Sequence, residues 1–508
     1  MYDANHLIHH LRASSVGRDD SVFALTPGAG TVTFGDLFDQ AERIAAALVA
    51  AGLAPGDRVA AQIQKSTTAL ALYLGTVMAG GVFLPLNTAY TDAEMTYFLG
   101  DAQPCVLVCD PSSVMGLGDI AQTQGIRAVF TLGPDGTGTL TEASARTGSG
   151  FRPVPRGPDD LAAMLYTSGT TGRSKGAMLS HGNLVSNALA LAEVWRFSQI
   201  DVLIHALPIF HTHGLFVATN VSLVSGASLV FLPAFDPDAI IAALPLATVL
   251  MGVPTFYVRL LDHPSLTGAA VAGMRLFISG SAPLLAETHA RWRRATGHAI
   301  LERYGMTETN MNTSNPYDGP RIAGTVGLAL PGIEVRVCDP ATGTPLPSGQ
   351  VGSIEIRGPN VFKGYWQMPE KTAAEFRKNG FFISGDLGSL DAAGYLTIVG
   401  RSKDLIISGG YNIYPKEVED AIDSIPGVLE SAVIGLAHAD LGEVVAAVVV
   451  LAKDAELTEA AIFSRLQGQL ARFKQPRALW FAPSLPRNAM GKVLKNVLRD
   501  KFSEASRP

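Results

Sequence analysis

Tyr166-Thr-Ser-Gly-Thr-Thr-Gly-Arg-Ser-Lys-Gly176 packs three glycines, five Ser/Thr hydroxyls and two cations into eleven residues. Apolar Leu161, Met164 and Leu165 run into this stretch as a strand. Behind it, Ser180 suits the N-cap of a helix carrying Leu184, Val185, Ala188, Leu189 and Ala192 on one face. Strand, glycine-rich loop, helix is a usual way to offer backbone N–H groups to a phosphate chain. The glycines allow close backbone approach, the hydroxyls donate, and Arg173 and Lys175 supply charge. The spacing is not that of a Walker A loop, which needs G-x-x-x-x-G-K-[ST]. A solvated surface loop is the plain alternative, but so dense a set of donors favours a nucleoside triphosphate.

Working outward, 508 residues exceed what one hydrophobic core usually organises, which predicts at least two domains. Hydrophobic content of 47% against 17% charge is ample for large cores. A net charge of -6 gives no reason to invoke nucleic acid or an acidic membrane surface, so any anion site must be built locally. Three cysteines, Cys105, Cys109 and Cys338, cannot form a disulfide framework. Cys105 and Cys109 flank the apolar run Val106-Leu107-Val108 and read as strand residues. A reducing cytoplasm is the natural setting. The N-terminus lacks the basic and apolar regions of a signal peptide, and no apolar run is long enough to span a bilayer.

Residues up to about 400 alternate β-branched runs with amphipathic helices, the pattern of layered α/β folds. Thr33 suits the cap of a helix carrying Leu37, Phe38, Ala41, Ile44, Ala45 and Leu48, and Arg58 to Ile63 reads as a strand. The segment Gly133 to Pro158, rich in Gly, Thr and Pro, reads as a loop-rich connection. Near Gly400 charge and glycine concentrate, and beyond it Pro415 opens a helix. Strands follow at Ser431–Ile434 and Val444–Leu451, then a helix around Ala460–Leu470, a loop at Pro486–Val493 and a short final helix. The expectation is a large α/β domain over 1–400 and a small α+β domain over 401–508.

Five motifs then fall in order: Tyr166–Gly176, Tyr304-Gly-Met-Thr-Glu308, Ser384-Gly-Asp386, Gly400–Asp404 and Pro486–Lys492. Together they resemble the adenylate-forming superfamily of acyl-CoA synthetases, adenylation domains and luciferases, over nearly the whole chain. Phe210-His-Thr-His-Gly-Leu215, Leu276–Pro283 and Asn310–Pro316 further resemble malonyl-CoA synthetases. The resemblance implies a large layered N-terminal domain with a small mobile C-terminal one, and ATP, Mg²⁺ and coenzyme A as reactants. A carboxylate would attack the α-phosphorus of ATP, and a thiol would then displace AMP. Thr167, Ser168, Gly169, Thr170, Thr171, Gly172 and Lys175 would hold the β- and γ-phosphates. Glu308, with Thr170, would face Mg²⁺, which takes few protein carboxylates. Thr307 would meet the α-phosphate; Tyr304 and the Gly280-Ser281-Ala282 backbone would enclose adenine. Asp386 would bind the ribose hydroxyls, supported by Arg401. Lys492 would swing in to stabilise the adenylation transition state, and as an accessible lysine would be open to an acetyltransferase and a deacetylase. Lys403 matches the hinge, and Ser408, Gly409 and Gly410 would line the pantetheine path.

Arg303 sets this chain apart, standing before Tyr304-Gly305 where the family often has glycine. A guanidinium buried near the acyl group demands an anion, which the second carboxylate of a short diacid supplies. His211, Thr212, His213 and Ser279 are candidate donors around it, and His211 is a candidate catalytic residue. The plain alternative pairs Arg303 with Glu302 or Asp318. Two histidines without a Cys or Asp cluster are weak evidence for zinc. The sequence thus predicts ATP-dependent ligation of malonate, or methylmalonate, to coenzyme A. A monocarboxylate CoA ligase or a carrier-loading adenylation enzyme is the alternative.

Overall fold

The structure is a computed structural model and describes residues 2–148, 150–167, 174–409, 411–438, 441–488 and 491–503. Its contacts divide the chain into two compact units: Met1–Glu334 with Arg357–Gly380, and Val335–Ile356 with Phe381–Pro508. Residue 400, where the sequence changes character, therefore lies inside the second unit.

The first unit is layered α/β, as the alternating pattern predicts. One sheet runs in the order Ala128–Thr131, Val106–Cys109, Arg58–Gln62, Val82–Pro85, Leu161–Thr167 and Lys175–Ser180. All its neighbours are parallel except the last two strands. Val59, Ala60, Val106, Leu107 and Val108 are buried on both faces, which is why these strands read as continuous apolar runs. In the second sheet Val202–His205, Val249–Gly252, Leu276–Ser279 and Leu301–Met306 run parallel side by side. Asn310–Ser314 then turns back antiparallel to Leu301–Met306.

Local signals hold well in this unit. Thr33 accepts from Asp36 N, and the Asp36 carboxylate returns to Thr33 N, a reciprocal cap on Phe34–Ala50. Ser180 caps His181–Val194 in the same way, with Asn183 as its partner. The helix is rotated from the expected face, however: Leu189 is exposed, while Asn187 and Leu191 are buried. Asn187 turns inward because its amide spans both backbone groups of Met311, donating at 2.7 Å and accepting at 3.2 Å.

Two other expectations are corrected. The glycine-rich stretch does not pass from strand to helix. Leu161–Thr167 and Lys175–Ser180 form an antiparallel hairpin that pairs Thr167 with Lys175, and the helix begins only at His181. The Ser180 cap is real but sits one strand further along. The segment Gly133–Pro158 also holds a helix, Thr139–Ala145, docked through buried Leu140.

In the second unit, Gly442–Leu451 pairs antiparallel with Val428–His438 over nearly their whole length. Its pleat separates two cores. Val445, Ala447 and Val449 face Val418, Ile422, Ile462 and Leu466 of helices Pro415–Asp423 and Glu459–Leu466. Ala446, Val448 and Val450 face Leu498 and Phe502 of Lys495–Ser503. Period two thus serves two helical layers, and each fully buried branched side chain contributes about 1.5–3 kcal/mol. Among the described residues no helix is long and apolar enough to cross a membrane.

Candidate active site

Leu276–Ser279 ends where Leu301–Met306 begins, with Ser279 opposite Glu302, so Arg303 follows at the carboxyl edge of the shorter strand, where open α/β sheets place ligands. Pleating sends Glu302 and Arg303 to opposite faces. Arg303 is 3% exposed. A Cβ on Gly280 would lie 2.4 Å from its Cζ, so the guanidinium rests directly on glycine backbone. Its Nε and Nη2 have no hydrogen-bond partner among the described residues. The alternatives weighed from sequence are engaged elsewhere: Asp318 pairs with Arg196, and Glu302 Oε1 accepts from Leu284 N at 3.2 Å. Burial pushes Arg303 down to about 9, which still leaves a cation at neutral pH.

Among the described residues the hydroxyls of Thr212 and Ser279 and Nε2 of His213 are also buried without partners. Burial first, then the Arg303 charge, holds His211 at about 4 and His213 well below its ordinary value. Both imidazoles are therefore neutral, and Arg303 supplies the positive charge. His213 Nδ1 lies 3.2 Å from Ser281 Oγ, and Ser281 takes a left-handed conformation with φ of 71° to present it. Leaving several buried polar groups unpaired costs about 1–3 kcal/mol each, a cost that a polar ligand removes.

His213 opens a π-helical turn, His213–Thr219, a geometry that recurs at functional sites. Lys65 Nζ donates to His205 Nδ1 at 3.0 Å and to the His205 carbonyl at 2.7 Å. That leaves His205 Nε2–H to donate to Gly214 O at 2.9 Å, tying the turn to the half-buried Lys65. Nothing near Lys65 in the sequence announces this link, which joins residues 140 apart.

A second cluster lies around Lys175, 6% exposed. Its Nζ is 3.1 Å from Glu375 Oε1 and 4.1 Å from the Tyr365 ring centroid. The Tyr365 hydroxyl lies 2.6 Å from Glu375 Oε2 and 3.1 Å from Glu308 Oε1. Burial pushes the Glu375 carboxyl up, but hydrogen bonds from Lys371, Tyr365 and Lys175 outweigh it, so it lies below its ordinary value. Asn360 holds the Thr307–Asn310 turn by donating to Thr309 O at 2.6 Å, and Asn187 holds Met311 just beyond it. Thr307 is half-buried and Glu308 buried there, with Tyr304 buried on the strand before them. Ala282 is half-buried beside Ser281. A buried carboxylate near a buried lysine fits Mg²⁺ carried by a nucleotide, since this ion takes one or two protein carboxylates plus phosphate oxygens. Ser168, Gly169, Thr170, Thr171 and Gly172 lie outside the described residues, as does Gly410.

In the second unit, Asp386 and Arg401 are cross-strand partners, and Arg401 Nε lies 2.6 Å from Asp386 Oδ1. Beyond the exposed Lys403, Asp404 pairs with Arg499 at 2.6 Å. Lys492 stands on a braced loop: Asn488 Oδ1 accepts from Lys492 N at 3.0 Å, and Arg487 bonds Gly491 O and pairs with Glu430. Its ammonium keeps solvent access yet is crowded by protein, which pushes it down to about 8, with Arg401 and Lys403 adding to that and Asp386 and Asp404 opposing. Ser408 is buried, and Gly409 turns left-handed, with φ of 56°, into the hairpin that returns at Tyr411.

A family model described as AMP-binding enzyme matches residues 12–366, and one described as AMP-binding enzyme C-terminal domain matches 417–492. Feruloyl-CoA synthase from an Amycolatopsis species is 35% identical over 484 residues, covering 94% of this chain and 96% of its own. A malonate–CoA ligase from Arabidopsis thaliana is 35% identical over 482 residues, covering 88% and 78%. The crystal structure of ATP-bound MatB from Rhodopseudomonas palustris matches with a TM-score of 0.97 and 59% identity, over 99% of this chain and 100% of that one. These matches, spanning both units and nearly the full length, establish that the chain belongs to the AMP-binding enzyme family.

Proposed function

We propose that the protein joins malonate to coenzyme A through a malonyl-adenylate, with AMP and pyrophosphate as products. Equal identity to a feruloyl-CoA synthase and to a malonate–CoA ligase leaves the acid to be argued from the pocket. The observation that carries the reading is Arg303, a buried cation seated on Gly280 with two donor nitrogens lacking partners. A feruloyl group offers it no second anion. Malonate offers a distal carboxylate, to which a guanidinium binds in bidentate fashion. His211, Thr212, His213 and Ser279 are the neighbouring donors in this reading.

In the first half-reaction an oxygen of the other carboxylate attacks the α-phosphorus. The new O–P bond forms as the bond to the bridging oxygen breaks, and pyrophosphate leaves. In the second, the thiolate of coenzyme A attacks the acyl carbon and AMP leaves. Lys175 would meet the β- and γ-phosphates, Thr307 the α-phosphate and Tyr304 the adenine, next to the 280–282 backbone. Asp386, oriented by Arg401, suits the ribose hydroxyls. Glu308 would hold Mg²⁺, which neutralises phosphate charge when bound. Lys492 would stabilise charge on the transferring oxygens, Lys403 would mark the turning point between half-reactions, and Ser408 and Gly409 would border the thiol path. The ion pairs Asp386–Arg401 and Asp404–Arg499 support that place for the turn, because one lies on each side of Lys403 in sequence and rotation there cuts neither. A cytoplasmic setting accords with coenzyme A chemistry.

The test is pyrophosphate release and thioester formation with malonate, methylmalonate, succinate, sulfoacetate, acetate and benzoate, in wild type and Arg303→Ala. Malonate preference that collapses in the variant is expected. Preference for acetate or benzoate, unchanged by the substitution, would overturn the diacid assignment. A methyl group is worth only about 1–3 kcal/mol in a pocket, so methylmalonate is expected to react within roughly two hundredfold of malonate.

A further inference from the structure

Around Lys175 the side chains form a closed chain of contacts. Met178 N donates to Gly364 O at 3.0 Å and Trp366 N to Gly176 O at 2.7 Å, which sets Tyr365 opposite Ala177 and beside Lys175. Tyr365 N donates to Thr372 Oγ1 at 2.9 Å, drawing in the short helix Pro369–Ala374. Glu375, the residue after that helix, is thereby delivered to the lysine from 200 positions away.

Each atom of the Glu375 carboxylate is used. Oε1 receives both Lys175 at 3.1 Å and Lys371 at 2.8 Å, and Oε2 receives the Tyr365 hydroxyl at 2.6 Å. Two consequences follow from counting charges and protons. Lys371 matches the single negative charge of Glu375, so the three groups together stay positive and Lys175 still attracts an anion. An ammonium has three N–H donors: among the described residues Glu375 takes one, the Tyr365 ring faces another, and one is left for a ligand. The Tyr365 hydroxyl donates its one proton between two acceptors, Glu375 Oε2 at 2.6 Å and Glu308 Oε1 at 3.1 Å, and so bridges the two carboxylates.

We propose that Glu375 is a positioning residue for a magnesium-bound triphosphate, holding Lys175 against Tyr365 and, through the Tyr365 hydroxyl, setting the spacing between Lys175 and Glu308. Its carboxylate occupies one donor of Lys175, while Lys371 offsets its charge. The inference rests on the reading of Lys175 and Glu308 as the triphosphate site.

Calorimetric binding of MgATP and of AMP, without acid substrate, tests it in Glu375→Ala, Glu375→Gln, Tyr365→Phe and Lys175→Ala, alongside thermal melting. Losing one hydrogen bond to a charged group predicts about tenfold weaker MgATP binding in Glu375→Ala. AMP affinity should be unchanged, since AMP lacks the β- and γ-phosphates, and Glu375→Gln should recover part of the loss. MgATP affinity that is unchanged or tightened in a folded Glu375→Ala protein, or equal losses for MgATP and AMP, would overturn the positioning role. Should Glu375→Ala fail to fold, Tyr365→Phe decides, because it removes only the hydroxyl; unchanged MgATP affinity there overturns the inference. Lys175→Ala separates the two layers: if it also leaves MgATP binding intact, the triphosphate assignment itself falls.

Discussion

Arg303 and Lys175 are two cations of the first unit, 3% and 6% exposed, in opposite electrostatic settings. Lys175 has a carboxylate at 3.1 Å that is itself balanced by a second lysine. Arg303 has glycine backbone on one side, neutral imidazoles nearby and two nitrogens without partners. Burying an unpaired charge costs several kcal/mol after relaxation, so a fold carries one only where something else supplies the counter-charge. At Arg303 the proposed acyl substrate would supply it. At Lys175 the protein supplies it, and the gain is a fixed geometry for a ligand that arrives with its own metal. One site is tuned to discriminate, the other to hold.

The largest expected effect breaks this contrast directly. Arg303→Met removes an orphaned charge and keeps apolar volume. It should therefore stabilise the ligand-free protein, by about 1–4 kcal/mol, while malonate kcat/KM falls about 10²- to 10³-fold. Glu375→Ala should instead lower the melting temperature, because it strands a buried ammonium. Melting curves with and without malonate decide the matter. Malonate should raise the midpoint of wild type but not of Arg303→Met, and a destabilised variant that still uses malonate would erase the distinction.

Lys492 is the intermediate case, a solvent-accessible ammonium among charges of both signs and pushed down to about 8. Its cationic form is the useful one. Adenylation should thus hold below pH 8 and decline as the pH rises through that value, with thioester formation from preformed malonyl-AMP not following it. Lys492→Ala should cost adenylation about 10²- to 10³-fold, as loss of a transition-state donor does, and acetylation of the amine should act the same way. Lys403→Pro should produce the mirror image, sparing adenylation and blocking the thioester step. Both half-reactions impaired equally in each variant would remove the division of labour between the two lysines.

These contrasts were unequally legible in the amino-acid order. Arg303 stood out because a cation occupies the position before Tyr304-Gly305, and strand alternation then buries it away from Glu302. Asp386 and Arg401 carried motif signals, and their cross-strand register brings them together. Ser180 and Thr33 were readable as caps because capping is settled within three residues. Glu375 and Tyr365 carried no such signal, since their place beside Lys175 depends on the 364–366 segment pairing with the 176–178 backbone. Lys65 is likewise silent in sequence, acquiring its role only where two sheets meet at His205. The hairpin at the glycine-rich stretch was misread for a related reason. Lys175–Ser180 is a strand because it pairs with Leu161–Thr167, and a local pattern does not reveal that pairing.

Gly280 offers the smallest and sharpest probe, because it alters the position of Arg303 without altering its charge. Its backbone has no left-handed conformation to protect, so alanine is tolerated there on conformational grounds. The strain is purely steric: a Cβ would meet Cζ, Nε and Nη1 of Arg303 at 2.4, 2.6 and 2.7 Å, and the guanidinium must move. A misplacement of about 1 Å can cost up to 10²-fold in rate. Gly280→Ala should accordingly lower malonate kcat/KM about 10- to 100-fold. If malonate turnover survives intact, Arg303 finds its anion from a range of positions, and the pocket selects its acid by charge alone. If turnover falls and succinate is spared, the glycine sets the distance at which the second carboxylate is read.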